Sequence, residues 1–165
     1  LFVIGINGHL RIGDLLSLQL WHVIDERGKV LERLPEIRED KTDKANDFPF
    51  NKSMKEAIKD YLASRSWESL DEPLFPSRKL KDGKLQAIER DQAYKIVNAA
   101  ARAVGIEERI GAHTMRKTWG YHAFRSGVGL GYLMLCYKHS SERQTSNYIG
   151  ITRDETDEIV LNLNL

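Results

Sequence analysis

Four side chains in one stretch, Ala112 to Ile151, are of the types that phosphoryl transfer needs. His113 and Arg116 stand three apart at the start of what reads as a helix, so imidazole and guanidinium would project from one face. His139 follows 23 residues after Arg116, and Tyr148 nine residues after that. A fixed cation can hold anionic oxygens, a phenol can serve as nucleophile and imidazoles can move protons. No single pair among them is specific. Their meaning depends on the elements that would bring them together.

Those elements belong to a chain of 165 residues, enough for one domain with a substantial core and no disulfides. Hydrophobic content of 41% and charged content of 30% are ordinary for a globular protein. The single cysteine, Cys136, lies in the apolar run Tyr132 to Cys136 and reads as a buried structural thiol in a reducing cytosol. No signal peptide and no run of ~18 apolar residues is present, so no membrane partner is expected. A net charge of +1 is weak for a nucleic-acid-binding domain, so any such surface needs local segregation of charge. Leu1 opens inside an apolar run with no cap before it, which reads as a piece of a longer protein.

Along the chain, Leu1 to Asn7 reads as a buried helix broken at Asn7-Gly8, and His9 to Leu18 as a second helix with Arg11 at its start. An arginine among so many apolar residues needs a partner. Arg11 either pairs with Asp14, three residues on, or binds an anion while anchored by it. Val23 to Asn51 reads as a small antiparallel sheet whose hairpin turn falls between Thr42 and Asp47, with Lys41 ending the strand that enters it. An exposed hairpin lysine is usually a solvated charge. Lys52 to Ser64 has helical spacing, whereas Arg65 to Leu85 reads as a loop bearing Arg78, Lys79, Lys81 and Lys84. Asp91 is expected to cap a strong helix ending at Gly105. Helices are then expected over 113–126, 131–138 and 141–149, followed by a capping box at Thr152 to Glu155 and the apolar tail Ile159 to Leu165.

Taken together, the segments Gly8-x-Leu10-Arg11-Ile12-x-Asp14-Leu15-Leu16, Lys41-Thr42-x-Lys44, His113-x-Met115-Arg116-Lys117-Thr118, His139-Ser140-Ser141 and Thr145-x-x-Tyr148 resemble the tyrosine recombinases, or phage integrases. Order, spacing and context all match over essentially the whole chain. The look is that of integrases of phages and mobile elements of Gram-positive bacteria. The resemblance implies a mainly helical catalytic domain over 1–165 with a small antiparallel three-stranded sheet. It places core-binding and arm-binding domains outside this chain and cuts the first catalytic helix short. It also implies site-specific DNA recombination through a covalent 3′-phosphotyrosine, integrating or excising a phage or mobile element.

Carried over position by position, the resemblance makes Tyr148 the nucleophile and Arg11 and Arg116 the clamp on the non-bridging oxygens. Lys41 becomes the acid for the leaving 5′-oxygen, His113 a proton acceptor or positioning group, and His139 a further donor to the phosphate. The physical chemistry agrees: two guanidinium forks match phosphate oxygens, and a covalent link conserves bond energy, so ligation needs neither ATP nor a metal, and no cofactor is expected. The sequence carries no nucleotide-binding loop and no carboxylate cluster of the kind that holds Mg²⁺. The implied partner is double-stranded DNA at attachment sites. The protein is expected to be a monomer alone and a homotetramer on DNA, exchanging its C-terminal segment, with excision or host DNA-bending proteins as accessories. The implied location is the bacterial cytoplasm, at the nucleoid.

Some positions depart from the family pattern. Tyr137-Lys138 stands where Leu-Gly is commonest, Lys117 where His is, and Asp43 where a turn Gly is usual; Asn7-Gly8-His9 replaces Thr-Gly before Leu-Arg. His9, His22 and His122 match no motif and read as surface or core-edge histidines. Two other readings compete: a type IB topoisomerase, and a DNA-binding relative without activity. The mobile-element character of the tail argues against the first, and the six-residue set against the second.

Overall fold

The computed structural model describes residues 1–38, 45–111, 113–151, 157 and 161. Helix α1 (Phe2–Asn7) stops where Gly8 leaves helical geometry, and α2 (Ile12–Leu16) starts with Arg11 as its N-cap residue. Leu15, Leu18, Leu20, Val23 and Ile24, all but inaccessible to solvent, begin a broad apolar core. Strands β1 (Arg33–Arg38) and β2 (Ala45–Pro49) cover it as an antiparallel hairpin, pairing Leu34 with Phe48 and Ile37 with Asn46.

Leu34 and Ile37 are both buried although an odd spacing would put them on opposite faces of a regular strand. A register shift between them turns both inward, and Pro35 sits inside that irregularity, where its missing N–H breaks no regular ladder. Residues 39–44, where the turn with Lys41 is expected, lie outside the described residues.

Helix α3 (Lys52–Ala63) opens on Asn51, whose side chain accepts from the Met54 N–H, and buries Met54 and Ile58 against the same core. The segment expected to be a loop contains a second hairpin, β3 (Pro76–Lys81) and β4 (Lys84–Ala87), closed by Asp82 and Gly83 at φ 49° and 73°. Two positive φ angles make this the turn that suits the twist of paired strands. So among the described residues there are two two-stranded sheets and not one three-stranded sheet. The remaining candidate strand, near Val23, forms only an isolated bridge from Ile24 to Val30, because the Asp25–Gly28 turn folds it back at once.

Helix α4 (Arg90–Ala103) begins one residue before Asp91, with Glu89 at the cap position, so Asp91 lies in the first turn. Helices α5 (Thr114–Arg125), α6 (Leu130–Tyr137) and α7 (Glu142–Ile149) follow close to their expected bounds. They enclose a second, small cluster of Leu133, Tyr137 and Ile149, with Trp119, Phe124 and Tyr148 packed at its margin. Helix α5 bridges the two: Met115 lies in the large core, and Trp119, one turn on, in the small cluster. Cys136 is only half-buried, less enclosed than its apolar neighbours suggested. None of the described helices is long and apolar enough to cross a membrane.

Candidate active site

Arg116 is the most enclosed member of the site, with 3% of its surface exposed. A buried guanidinium is tolerable only if its donors are occupied or aimed at a ligand. Here Nε donates to the His9 carbonyl at 2.5 Å and Nη2 to the Tyr137 carbonyl at 3.4 Å. The guanidinium carbon also lies 4.6 Å from the centre of the Tyr137 ring. Backbone from the α1–α2 junction and from the end of α6 therefore fixes the fork. One turn earlier on the same helix, His113 occupies the N-cap position and is exposed.

The turn after α6 presents the second imidazole. Lys138 adopts the left-handed conformation, φ 57° and ψ 37°, which explains why glycine is the commoner residue there. The helix end nevertheless closes normally, the His139 N–H donating to the Met134 carbonyl at 3.0 Å. The Lys138 ammonium extends to the Ala45 carbonyl at 2.6 Å, joining this turn to the first residue of β2. His139 Nδ1 lies 3.1 Å from the fully buried Thr145 hydroxyl, itself 3.2 Å from the Ser141 carbonyl. With Nδ1 occupied, Nε2 is the ring nitrogen left for a ligand. Burial lowers the proton affinity of His139, and the Arg116 and Arg11 charges lower it further. The Arg11 charge acts on the imidazole from the N-cap position of α2.

Ser141 caps α7, its hydroxyl accepting from the Gln144 N–H, and the helix carries Thr145 and Tyr148 on one face. The Tyr148 hydroxyl lies 3.2 Å from His113 Nδ1. Its ring centre is 5.1 Å from that of His139, 5.8 Å from the Arg116 guanidinium carbon and 5.4 Å from the Lys117 ammonium. His113, Arg116, His139 and Tyr148 thus converge, Arg11 borders them, and Lys41 lies outside the described residues.

A second phenol stands beside the first: the Tyr137 and Tyr148 ring centres are 5.0 Å apart. They are chemically unlike. Tyr137 is fully buried, its hydroxyl donates to the Arg116 carbonyl at 2.7 Å, and burial pushes its acidity far out of the working range. Tyr148 is half-buried with its hydroxyl against an exposed imidazole. Of the two, only Tyr148 can reach a polymer laid across the site.

From the sequence, Tyr137 and Lys138 are departures that alter the turn before His139 and add a cation near the phosphate; their contacts to Arg116 and to the Ala45 carbonyl are tertiary and leave no spacing signal. Thr145 lay inside a quoted motif, and its i+3 relation to Tyr148 was the available clue. The His9 carbonyl, being backbone, had none. The His9 ring is 5.1 Å from those of Phe48 and Trp119, His22 Nδ1 accepts from the Gln19 N–H, and His122 is exposed, so none of the three imidazoles is placed with the set.

With this geometry in hand, comparison with known proteins is decisive. The sequence profile of the phage integrase family matches residues 1–155. The chain belongs to that family. It is a tyrosine recombinase catalytic domain. A Bacillus subtilis (strain 168) protein named "Probable integrase/recombinase YoeC" is 39% identical over 156 residues, covering 94% of this chain and 78% of the relative. The crystal structure of XerA recombinase superposes with a TM-score of 0.76 at 17% identity, over 99% of this chain and 56% of that one. XerH recombinase, crystallised on its palindromic difH substrate after cleavage, gives a TM-score of 0.71 at 19% identity, over 98% and 43%. The chain thus spans about half the length of these recombinases of known structure. Enzymes of this family carry out site-specific recombination, cutting and rejoining DNA through a tyrosine-linked intermediate.

Proposed function

We propose that this protein performs site-specific recombination with Tyr148 as nucleophile and one phosphate pocket formed by Arg11, Arg116, His113, His139 and Lys41. The Tyr148 hydroxyl attacks phosphorus as His113 takes up its proton. A Tyr148–O–P bond forms on the 3′ side while the bond to the 5′-oxygen breaks, and Lys41 protonates the departing oxygen. An incoming 5′-hydroxyl reverses these steps on a new partner, and the number of P–O bonds never changes. Charge gathering on the equatorial oxygens is met by Arg11 and Arg116, which stay protonated at any working pH, and by His139 Nε2.

The observation that carries the reading is the Tyr148 hydroxyl 3.2 Å from His113 Nδ1, beside Arg116 of the same chain. Double-stranded DNA is the proposed substrate, in keeping with the XerH complex on its DNA site. Assembly as a tetramer, with the apolar segment Ile159 to Leu165 passed between neighbours, is part of the same proposal. That segment lies outside the described residues save Leu161.

The test is a pool of randomised duplexes, each with a nick that traps the cleaved strand, incubated with the protein and resolved under denaturing conditions. A covalent adduct mapped to Tyr148 by mass spectrometry and absent from Tyr148→Phe is the expected result. An adduct on another residue, or none while DNA still binds, overturns it. Strand exchange between two marked duplexes carrying the recovered sequence then separates recombination from simple relaxation.

A further inference from the structure

Tyr137 has no task in the chemistry above, yet it touches three residues that have one: Arg116, His139 and Tyr148. Its side chain is fully buried. The Arg116 guanidinium lies 4.6 Å from its ring centre, and its own carbonyl accepts from Arg116 Nη2. The ring stacks on His139 at 5.1 Å and 28°, and meets Tyr148 edge-on at 5.0 Å and Trp119 edge-on at 5.7 Å. Its hydroxyl donates to the Arg116 backbone carbonyl, so the phenol is pinned to the helix that carries the arginine.

The fold makes room for it. A Cβ at Gly120 would lie 1.9 Å from the Tyr137 hydroxyl oxygen, so α5 accepts this phenol only because residue 120 has no side chain. A leucine at 137, the commoner residue in the resemblance, would fill the cluster. It could neither donate to the Arg116 carbonyl nor present a ring face to a guanidinium and an imidazole.

We propose that Tyr137 is a positioning residue of the site, setting the Arg116 guanidinium and the His139 imidazole in register through one buried ring. This rests on the proposed roles of Arg116 and His139. The ring supplies the placement and the hydroxyl holds the ring on α5. Misplacing either group by about 1 Å costs on the order of 100-fold in rate, far more than the loss of one aromatic contact costs in binding.

The test uses Tyr137→Phe, which keeps the ring, and Tyr137→Leu, which keeps only bulk, with the nicked duplex recovered above and single-turnover cleavage as readout. Tyr137→Phe is expected to stay within about 5-fold of the parent, and Tyr137→Leu to lose about 30-fold or more while half-saturation by DNA moves by less than about 3-fold. A spectroscopic readout stands apart from activity: the ring protons of His139 are shifted upfield by the stacked ring, a shift expected to persist in Tyr137→Phe and shrink in Tyr137→Leu. Two results overturn the proposal: cleavage by Tyr137→Leu within about 3-fold of the parent, or His139 signals unchanged in a folded Tyr137→Leu. A rate loss matched by an equal loss of DNA affinity leaves Tyr137 a packing residue and also overturns it. Failure of the parent to form any adduct overturns the recombinase reading instead, and the His139 signals then decide the placement alone.

Discussion

The two hydrophobic clusters divide the molecule's work unequally. The large core joins α1, α2, the β1–β2 hairpin, α3 and part of α4, and its innermost residues are almost all aliphatic: Leu15, Leu18, Leu20, Leu34, Ile58 and Leu74. The small cluster has three buried apolar residues, one of them a tyrosine, and holds the buried polar Arg116 and Thr145 beside it. Yet His139 and Tyr148 stand on the small cluster. The large core contributes Arg11, the His9 carbonyl under Arg116 and the hairpin leading to Lys41. The broad core is an anvil that fixes one side of the proposed pocket, and the thin cluster carries the groups proposed to meet a phosphate. Specific polar and aromatic contacts hold it where apolar area is scarce.

The sharpest way to break that contrast is Arg116→Lys. An ammonium cannot occupy both the His9 and Tyr137 carbonyls and still present a fork, so cleavage is expected to fall about 10²–10³-fold in a protein that still binds DNA. Single-turnover rates on the nicked duplex check this, and a variant cleaving like its parent shows that the fork's placement is unimportant.

Next come two paired truncations. Leu34→Ala removes a fully buried side chain of the large core and is expected to cost about 2–5 kcal/mol in denaturant unfolding, with cleavage near normal below the transition. Ile149→Ala, next to Tyr148, is expected to do the reverse, with a smaller loss of stability and a larger loss of rate. If both variants lose stability and rate in the same ratio, the clusters form one cooperative unit and the division fails.

The smallest effect is the part of the pH dependence that the small cluster contributes. His139 has a lowered proton affinity in the fold, so the unfolded chain binds the proton first as pH falls below about 6.5, and stability drops there. Tyr137 holds its proton more tightly than an ordinary tyrosine, so above about pH 10 the unfolded chain ionises first and stability drops again. Urea unfolding across pH should show the alkaline loss flattened in Tyr137→Phe and the acid loss flattened in His139→Gln. Unchanged slopes in both variants contradict the assignment.

The same contrast explains what could be read without coordinates. α3 and α4 follow from apolar residues at helical spacing, and the end of α1 from Asn7-Gly8. The β3–β4 hairpin did not follow, because its strands bear Arg78, Lys79, Lys81 and Lys84 and most of its residues are exposed, so no alternation marks it. Its one local signal is the turn dipeptide Asp82-Gly83. α4 starts earlier than its pattern suggests, because its apolar stripe begins at Ala93, three residues after the helix does. At the site, His113, Arg116, His139 and Tyr148 are legible as a set because their types and order are those phosphoryl transfer calls for, and the fold brings the four together. The supports were not: the His9 carbonyl has no side-chain signature, and Tyr137 reads as any aromatic in an apolar run until Gly120 is seen beneath its hydroxyl.

The central claim is that Tyr148 and Arg116 of one chain act on one phosphate. Mixing Tyr148→Phe with Arg116→Ala on the nicked duplex tests it directly, since each variant lacks what the other keeps. With both groups acting from the same chain, no mixture of the two restores the covalent adduct at any ratio. An adduct that appears on mixing, absent from either variant alone, would show the tyrosine delivered from a neighbouring chain and contradict the account.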